Sequence, residues 1–273
     1  MYFNNMWILA LIILAFIVYI KFMQGDNNHK PNTPNHDKIT SDKLLELCTV
    51  NYETIIINNP GGMVNTLSRE LDEPHTILFQ VRNNPSFINF KNAIKDLELS
   101  WTKNGDSNLT VGKIKYEDFL NEIQSTKTDK YIFDINTEYN ENVKRITEFI
   151  PCPDLYFLNK ESPNVSIYAG VKNTGTKIHH HHEAVNYLIL GKKIWIIFPK
   201  NENNAKLCTK EFRENSSSIN WLFSNIKELK NKIDGLSIFV QHSGEIVFIP
   251  KRFYHGAINL ENSHGFVYSS TIL

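Results

Sequence analysis

The chain has 273 residues, 41% apolar and 12% aromatic, enough to bury a full core in one domain of about 200 to 250 residues. Its 29 basic and 29 acidic residues cancel and are scattered along the chain, which removes the electrostatic footprint expected of a nucleic-acid-binding protein. Three cysteines, Cys48, Cys152 and Cys208, with no CxxC pair among them, argue against a disulfide framework and against a thiolate zinc site.

From Met6 to Ile20 the stretch "MWILALIILAFIVYI" is apolar without a break, and Phe22 and Met23 extend it past a snorkelling Lys21. At about 1.5 Å per residue such a helix spans roughly 27 Å, close to the thickness of a thin bilayer. Residues 1–23 are therefore expected to form a single-pass signal anchor. The leading "MYFNN" lacks the basic residues of a cleaved signal peptide, and no A-x-A-like site follows. Lys21, Lys30 and Lys38 on the C-terminal flank favour a cytoplasmic C-terminal side. Sequons at Asn108, Asn164 and Asn215 would suit a lumenal one, and the sequence leaves the side open. Residues 24–40 are polar, contain two prolines and read as a flexible linker.

Beyond the linker, "SDKLLELC" opens as a short helix capped by Ser41 or Asp42. Strand-like "ETIII" and "HTILFQV" follow, then helical "PSFINFKNAIKDLEL", a strand "LTVGKIK", helical "YEDFLNEIQ" and a strand "KYIFDI". Residues 41–163 thus read as an α/β part. From Asn164 onward strands dominate: "NVSIYAGV", "TKIHHHHE", "VNYLIL", "KKIWIIFP", "LSIFVQH", "EIVFIP", "FYHGAIN" and "GFVYSSTIL", interrupted by helical "SINWLFSNIKELKNK". Many short strands joined by Gly, Asn and Ser turns predict a barrel or double-sheet jelly roll over 164–273. The fold class expected is α+β, mainly β, with N-terminal helices and one transmembrane helix.

Two stretches carry the chemistry. In "TKIHHHHE", read as a strand, His179, His181 and Glu183 share one face, while His180 and His182 point the other way. In "HSGEIVFIPKRFYHGAIN", a turn at Gly244 and Glu245 precedes a buried run, Pro250 ends it, and His255 and Asn259 follow. This second stretch reproduces a cupin motif, Gly-x5-Pro-x-Gly-x2-His-x3-Asn, except that Arg252 stands at the second glycine.

With "GTKIHHHH", Asn186 and "LGKKIWIIFP", these residues resemble the JmjC and JmjC-like cupin proteins of the Fe(II)- and 2-oxoglutarate-dependent oxygenase superfamily. The resemblance implies a double-stranded β-helix, with His179 and His255 as two imidazole ligands of Fe(II). It also implies Lys193 as the cation for the distal carboxylate of 2-oxoglutarate, with Thr176, Asn186 and Asn259 as polar groups on the cofactor side. The alternative for Lys193 is to snorkel outward beside Lys192. The second ligand of the family, an acid, is His181 here, as in the small secretory-pathway JmjC-domain proteins with an N-terminal hydrophobic segment. That points to an endoplasmic-reticulum or secretory-pathway membrane. The metal set expected is His179, His181 and His255, with Glu183 in reserve. His242, His264 and His75 read as structural, Trp195 and Phe198 as core or pocket wall, and Tyr168 as core or facing the cosubstrate.

The leading function is hydroxylation of a protein or peptide by a membrane-anchored 2-oxoglutarate-dependent oxygenase. The missing triad acid also fits an impaired pseudo-oxygenase that serves as a metal-binding or interaction module. A zinc or manganese cupin with isomerase or hydrolase chemistry is a third reading, which explains Lys193 and "LGKKIW" poorly.

Overall fold

The computed structural model describes residues 54–57, 78–81, 86–103, 110–125, 128–136, 141–149, 158, 163–207 and 230–270. The expected anchor, the linker and the "SDKLLELC" helix lie outside the described residues, as does most of "SINWLFSNIKELKNK". Among the described residues no helix is long and apolar enough to cross a membrane.

The fold is mostly β, with two sheets that are antiparallel apart from one strand pair. Among the described residues the larger sheet has nine strands. In chain order these are β1 (Thr54–Ile57), β2 (Leu78–Val81), β3 (Glu98–Lys103), β4 (Thr110–Lys115), β5 (Lys130–Asn136), β6 (Asn164–Gly170), β8 (Ala184–Leu190), β11 (Glu245–Ile249) and β13 (Ser263–Ser269). In space they run β1-β2-β11-β8-β13-β6-β5-β3-β4, and β1 with β2 is the parallel pair. The smaller sheet runs β10 (Ser237–His242), β9 (Lys192–Pro199), β12 (Phe253–Asn259), β7 (Gly175–His179). From β6 to β13 the chain therefore passes repeatedly between the sheets, leaving β11-β8-β13-β6 in one and β10-β9-β12-β7 in the other. Strands β5, β3 and β4 continue the larger sheet beyond β6.

Three helices, α1 (Phe87–Ile94), α2 (Tyr116–Ser125) and α3 (Glu141–Phe149), contribute to the apolar layer on one side of that sheet. Ser86 caps α1, its hydroxyl accepting from the Asn89 N–H. Phe90, Ile94, Tyr116, Phe119 and Ile146 pack against Val165, Ile167, Val185, Tyr187, Phe248, Phe266 and Tyr268. These strand residues follow period 2, which puts Tyr168, Asn186, Val247 and Val267 on the opposite, inner face. The smaller sheet alternates in the same way. Ile194, Ile196, Phe198, Ile238 and Tyr254 form an outer cluster, whereas Trp195, Ile197, Phe239 and Ala257 meet Ala184, Val247 and Ile249 of the larger sheet. The inner faces of the two sheets thus share one layer, as in other double-sheet β folds.

Two expectations are corrected. "TKIHHHHE" is not one strand: β7 ends at His179, and His180–Glu183 form the connection to β8. The helical reading of "PSFINFKNAIKDLEL" runs too far, because α1 stops at Ile94, Lys95–Asp96 turn, and β3 starts at Glu98. Strand β3 beyond Leu99, helix α3 and the short helix α4 (Glu202–Leu207) lay outside the predicted elements.

Candidate metal centre

The inner face of the smaller sheet is organised in cross-strand rows. One row joins Ser237, Ile197, His255 and His179, the next Phe239, Trp195, Ala257 and Thr176, and the next Gln241, Lys193 and Asn259. Residues directly opposite across a ladder lie on the same face, so these rows place His255, Ala257 and Asn259 together. The pairing of β7 with β12 is irregular. One residue separates His255 from Ala257, but two separate their partners His179 and Thr176. The extra residue is a β-bulge, and without it Thr176 and His179 would face opposite ways. Gly175 sits beside the bulge, where a Cβ would lie 2.0 Å from the Ala257 carbonyl oxygen, so β7 can approach β12 there with no other residue.

His181 joins His179 and His255 from the connection after β7, with ligand nitrogens of the three residues all within 4.8 Å of one another. Glu183 is not part of that group. The three Nδ1 atoms each face a backbone carbonyl: His179 to Lys177 at 2.7 Å, His255 to Phe253 at 3.0 Å, and His181 to His182. A carbonyl oxygen can only accept, so each Nδ1 carries the proton and each neutral ring presents its Nε2 lone pair. His181 Nε2 and His255 Nε2 stand 3.0 Å apart, lone pair towards lone pair, an arrangement that a shared cation relieves. Burial pushes the His179 ring down to about 4, with His181 adding to the effect, and holds His255 well below the ordinary imidazole value. Burial also lowers His181. The set is therefore neutral and ready to ligate at pH 7. Imidazole donors suit Fe, Zn, Cu or Ni, so the residues fit a divalent transition metal.

Lys193, in the row farthest from the histidines, is 2% exposed, which answers the snorkelling alternative. Its Nζ lies 3.7 Å above the Tyr168 ring and 5.6 Å from that of Trp195, and no carboxylate pairs with it among the described residues. Burial lowers its pKa to about 7. Tyr168 is held in place by its hydroxyl, whose single proton is shared between Asn186 Oδ1 at 2.9 Å and the Tyr187 carbonyl at 2.8 Å. Asn186 is thus buried and spent on orienting that ring. Asn259 Nδ2 donates to Thr174 Oγ1 at 3.2 Å and to the Val171 carbonyl at 3.4 Å, while its Oδ1 is buried without a partner among the described residues, beside Lys193 in the ladder. Thr176 is buried on the His179 side.

Gln241 was not among the candidates read from the sequence. It is fully buried, accepts from Trp195 Nε1 at 2.8 Å, and donates to the carbonyls of Asn186 and Glu245, fastening the Trp195 indole between the Lys193 end and His255. Its in-phase spacing from Phe239 on β10 was the available signal. His180 is exposed and accepts from Lys200 Nζ at 3.0 Å. His242 lies at the β10–β11 turn, its N–H donating to Glu245 Oε2. Phe198 belongs to the outer cluster and Trp195 to the inner one.

The cupin-like domain family matches residues 73–268, well over half of the chain. This protein belongs to the cupin-like domain family. It is also similar to JmjC domain-containing protein 8 of Mus musculus, 26% identical over 149 residues that make up 55% of this chain and 51% of the relative. The Rattus norvegicus protein of that name is 27% identical over 143 residues, 50% of this chain and 49% of its own, and the Homo sapiens one 25% over 149 residues, 55% and 52%. The chain spans about half the length of the curated relatives it matches. The JmjC-like cupin resemblance read from the motifs is shown by these matches.

Proposed function

We propose that this cupin-like protein is a membrane-anchored Fe(II)- and 2-oxoglutarate-dependent oxygenase that hydroxylates a protein or peptide. The strand passage between β6 and β13 is read here as a double-stranded β-helix. The observation that carries the proposal is Lys193, a buried amine in an aromatic cage with no carboxylate partner among the described residues, on the same inner face as His179 and His255. An uncompensated buried charge is costly, and a dicarboxylate cosubstrate supplies the missing anion.

Fe(II) held by His179, His181 and His255 would supply the oxidising chemistry with 2-oxoglutarate and oxygen. The rest is performed by the chain itself. The Nδ1–H bonds to backbone carbonyls fix each imidazole tautomer and aim the Nε2 atoms together. Lys193 binds the distal carboxylate, Asn259 Oδ1 is free to accept from the Lys193 ammonium or the ligand, and Tyr168 and Trp195 exclude water around them. Thr176 offers a hydroxyl on the same wall. The N-terminal apolar segment is read as a tether to a secretory-pathway membrane, with its side open.

The test is release of succinate and CO2 from 2-oxoglutarate by the purified protein with added Fe(II). Turnover that is lost in His255→Ala supports the reading, and a folded, metal-loaded protein without turnover under any candidate peptide rejects it. A second reading has its own observation. The ligand group contains three imidazoles and no carboxylate, as expected if oxygen chemistry has been lost and a binding module retained. In that case metal or 2-oxoglutarate binds without turnover, and His179→Ala leaves function in cells unchanged.

A further inference from the structure

The segments next to the histidines at one end of the smaller sheet carry three exposed basic residues. Lys200 follows β9, and Lys251 and Arg252 form the turn before β12; all three are exposed. The backbone draws them around the histidines. The Lys200 N–H donates to the Arg252 carbonyl at 2.9 Å, the Arg252 N–H to the His181 carbonyl at 3.4 Å, and Lys200 Nζ to His180 Nε2 at 3.0 Å. Among the described residues, acids near these segments are few. Glu202 is paired with Lys206 at 2.6 Å, Asp234 accepts from the Asn201 and Asn203 amides, and Glu183 follows the histidine run. No ion pair engages Lys200, Lys251 or Arg252 among the described residues.

Arg252 is also costly where it stands. Its φ of 63° is left-handed, a conformation in which a long side chain is disfavoured and glycine is at ease. The cupin motif in this chain has arginine at the position where that motif calls for glycine. Backbone strain of this kind persists where the surroundings or a function hold it.

We propose that Lys200, Lys251 and Arg252 form a docking rim for an acidic peptide, whose Asp or Glu side chains flank the residue presented to the metal centre. The inference rests on the oxygenase reading for what happens at the metal and extends it by naming the substrate class. A short acidic segment is favoured over a nucleic acid because the three cations stand on segments joined by backbone hydrogen bonds to one another and to His181, on a chain with 29 basic and 29 acidic residues, rather than along a basic stripe. Guanidinium geometry also suits carboxylates bidentately.

The experiment measures binding of fluorescein-labelled peptides to the full chain by anisotropy at low and physiological salt, without turnover. A peptide with several Asp and Glu residues is compared with its Asn/Gln counterpart, single-stranded RNA and phosphatidylserine vesicles. The expected result is preferential binding of the acidic peptide that weakens with salt. Arg252→Gly, Lys251→Gln and Lys200→Gln should each weaken it by about two- to fivefold, the range for exposed ion pairs. Arg252→Gly should do so while its Tm equals or exceeds that of the wild type by up to about 4 °C, since the strain is removed. A folding defect cannot produce that combination. Equal binding of acidic and neutral peptides, Arg252→Gly with undiminished binding, or a preference for RNA or vesicles overturns the proposal. Acidic-peptide binding without 2-oxoglutarate turnover would instead keep the rim and reject the oxygenase reading, whereas turnover without acidic preference would do the reverse.

Discussion

The helix-covered face of the larger sheet and the layer between the sheets each bury a histidine, and the two differ in what surrounds the ring. His264, 1% exposed, sits among Phe87, Tyr116 and Phe119, with Nδ1 2.8 Å from the Tyr116 hydroxyl. His255, 2% exposed, sits against two other imidazoles. Burial lowers both pKa values. A buried, hard-to-protonate histidine is therefore not by itself a site. What separates His255 is convergence: three Nδ1 protons committed to backbone carbonyls and three Nε2 lone pairs left facing one another.

The largest effect should come from breaking the convergent set. His255→Ala is expected to lower metal affinity by at least about 100-fold while leaving the secondary structure intact, as checked by elemental analysis and circular dichroism. Lys193→Met tests the other end of the interior. It should remove 2-oxoglutarate binding, worth about 3 to 5 kcal/mol for a broken buried charge pair, as read by calorimetry. The same variant should stabilise the ligand-free protein by about 2 to 4 kcal/mol at pH 7, because an uncompensated ammonium is gone. The sign of the pH effect follows from the lowered pKa. Between about 7, the folded value, and 10.5, the free one, the unfolded chain binds more protons, so wild-type stability rises with pH across that window and the Met variant lacks the rise.

His264→Phe tests the helix-covered histidine. Orphaning the Tyr116 hydroxyl should cost about 1 to 3 kcal/mol at neutral pH with metal content unchanged. Because the folded imidazole titrates near 4 and the free one near 6.5, wild-type stability is complete above pH 6.5 and falls by roughly 3 kcal/mol as pH drops to 4. The Phe variant should lose that portion of the slope in acid-unfolding curves. Arg252→Gly is the smallest change, with stability altered by about 1 kcal/mol or less in the favourable direction.

Much of this was legible in the strands. Short strand-like runs in "KKIWIIFP" and "FYHGAIN" marked β9 and β12, and the spacing from Gly244 through Pro250 to His255 marked the second half of the centre. Strand parity failed between Thr176 and Glu183 because two features invisible to a period of 2 intervene: a bulge before His179 and the end of β7 at that residue. His181 reaches the cluster from the connecting segment, where parity no longer applies, and Glu183 does not follow it. Strand β3 was hidden because Lys, Asp, Leu and Glu sustain a helical pattern past the turn at Lys95–Asp96. Lys193 was legible through resemblance, but its aromatic cage depends on a side chain from the other sheet, Tyr168, which no local pattern specifies.

The central claim is that His179, His181 and His255 form a metal centre, and metal stoichiometry after Fe(II) loading and desalting tests it most directly. One ion per chain in the wild type and in His264→Phe, with none in His255→Ala, is the predicted result; no retained metal in the folded wild type, or equal retention in His255→Ala, would contradict it.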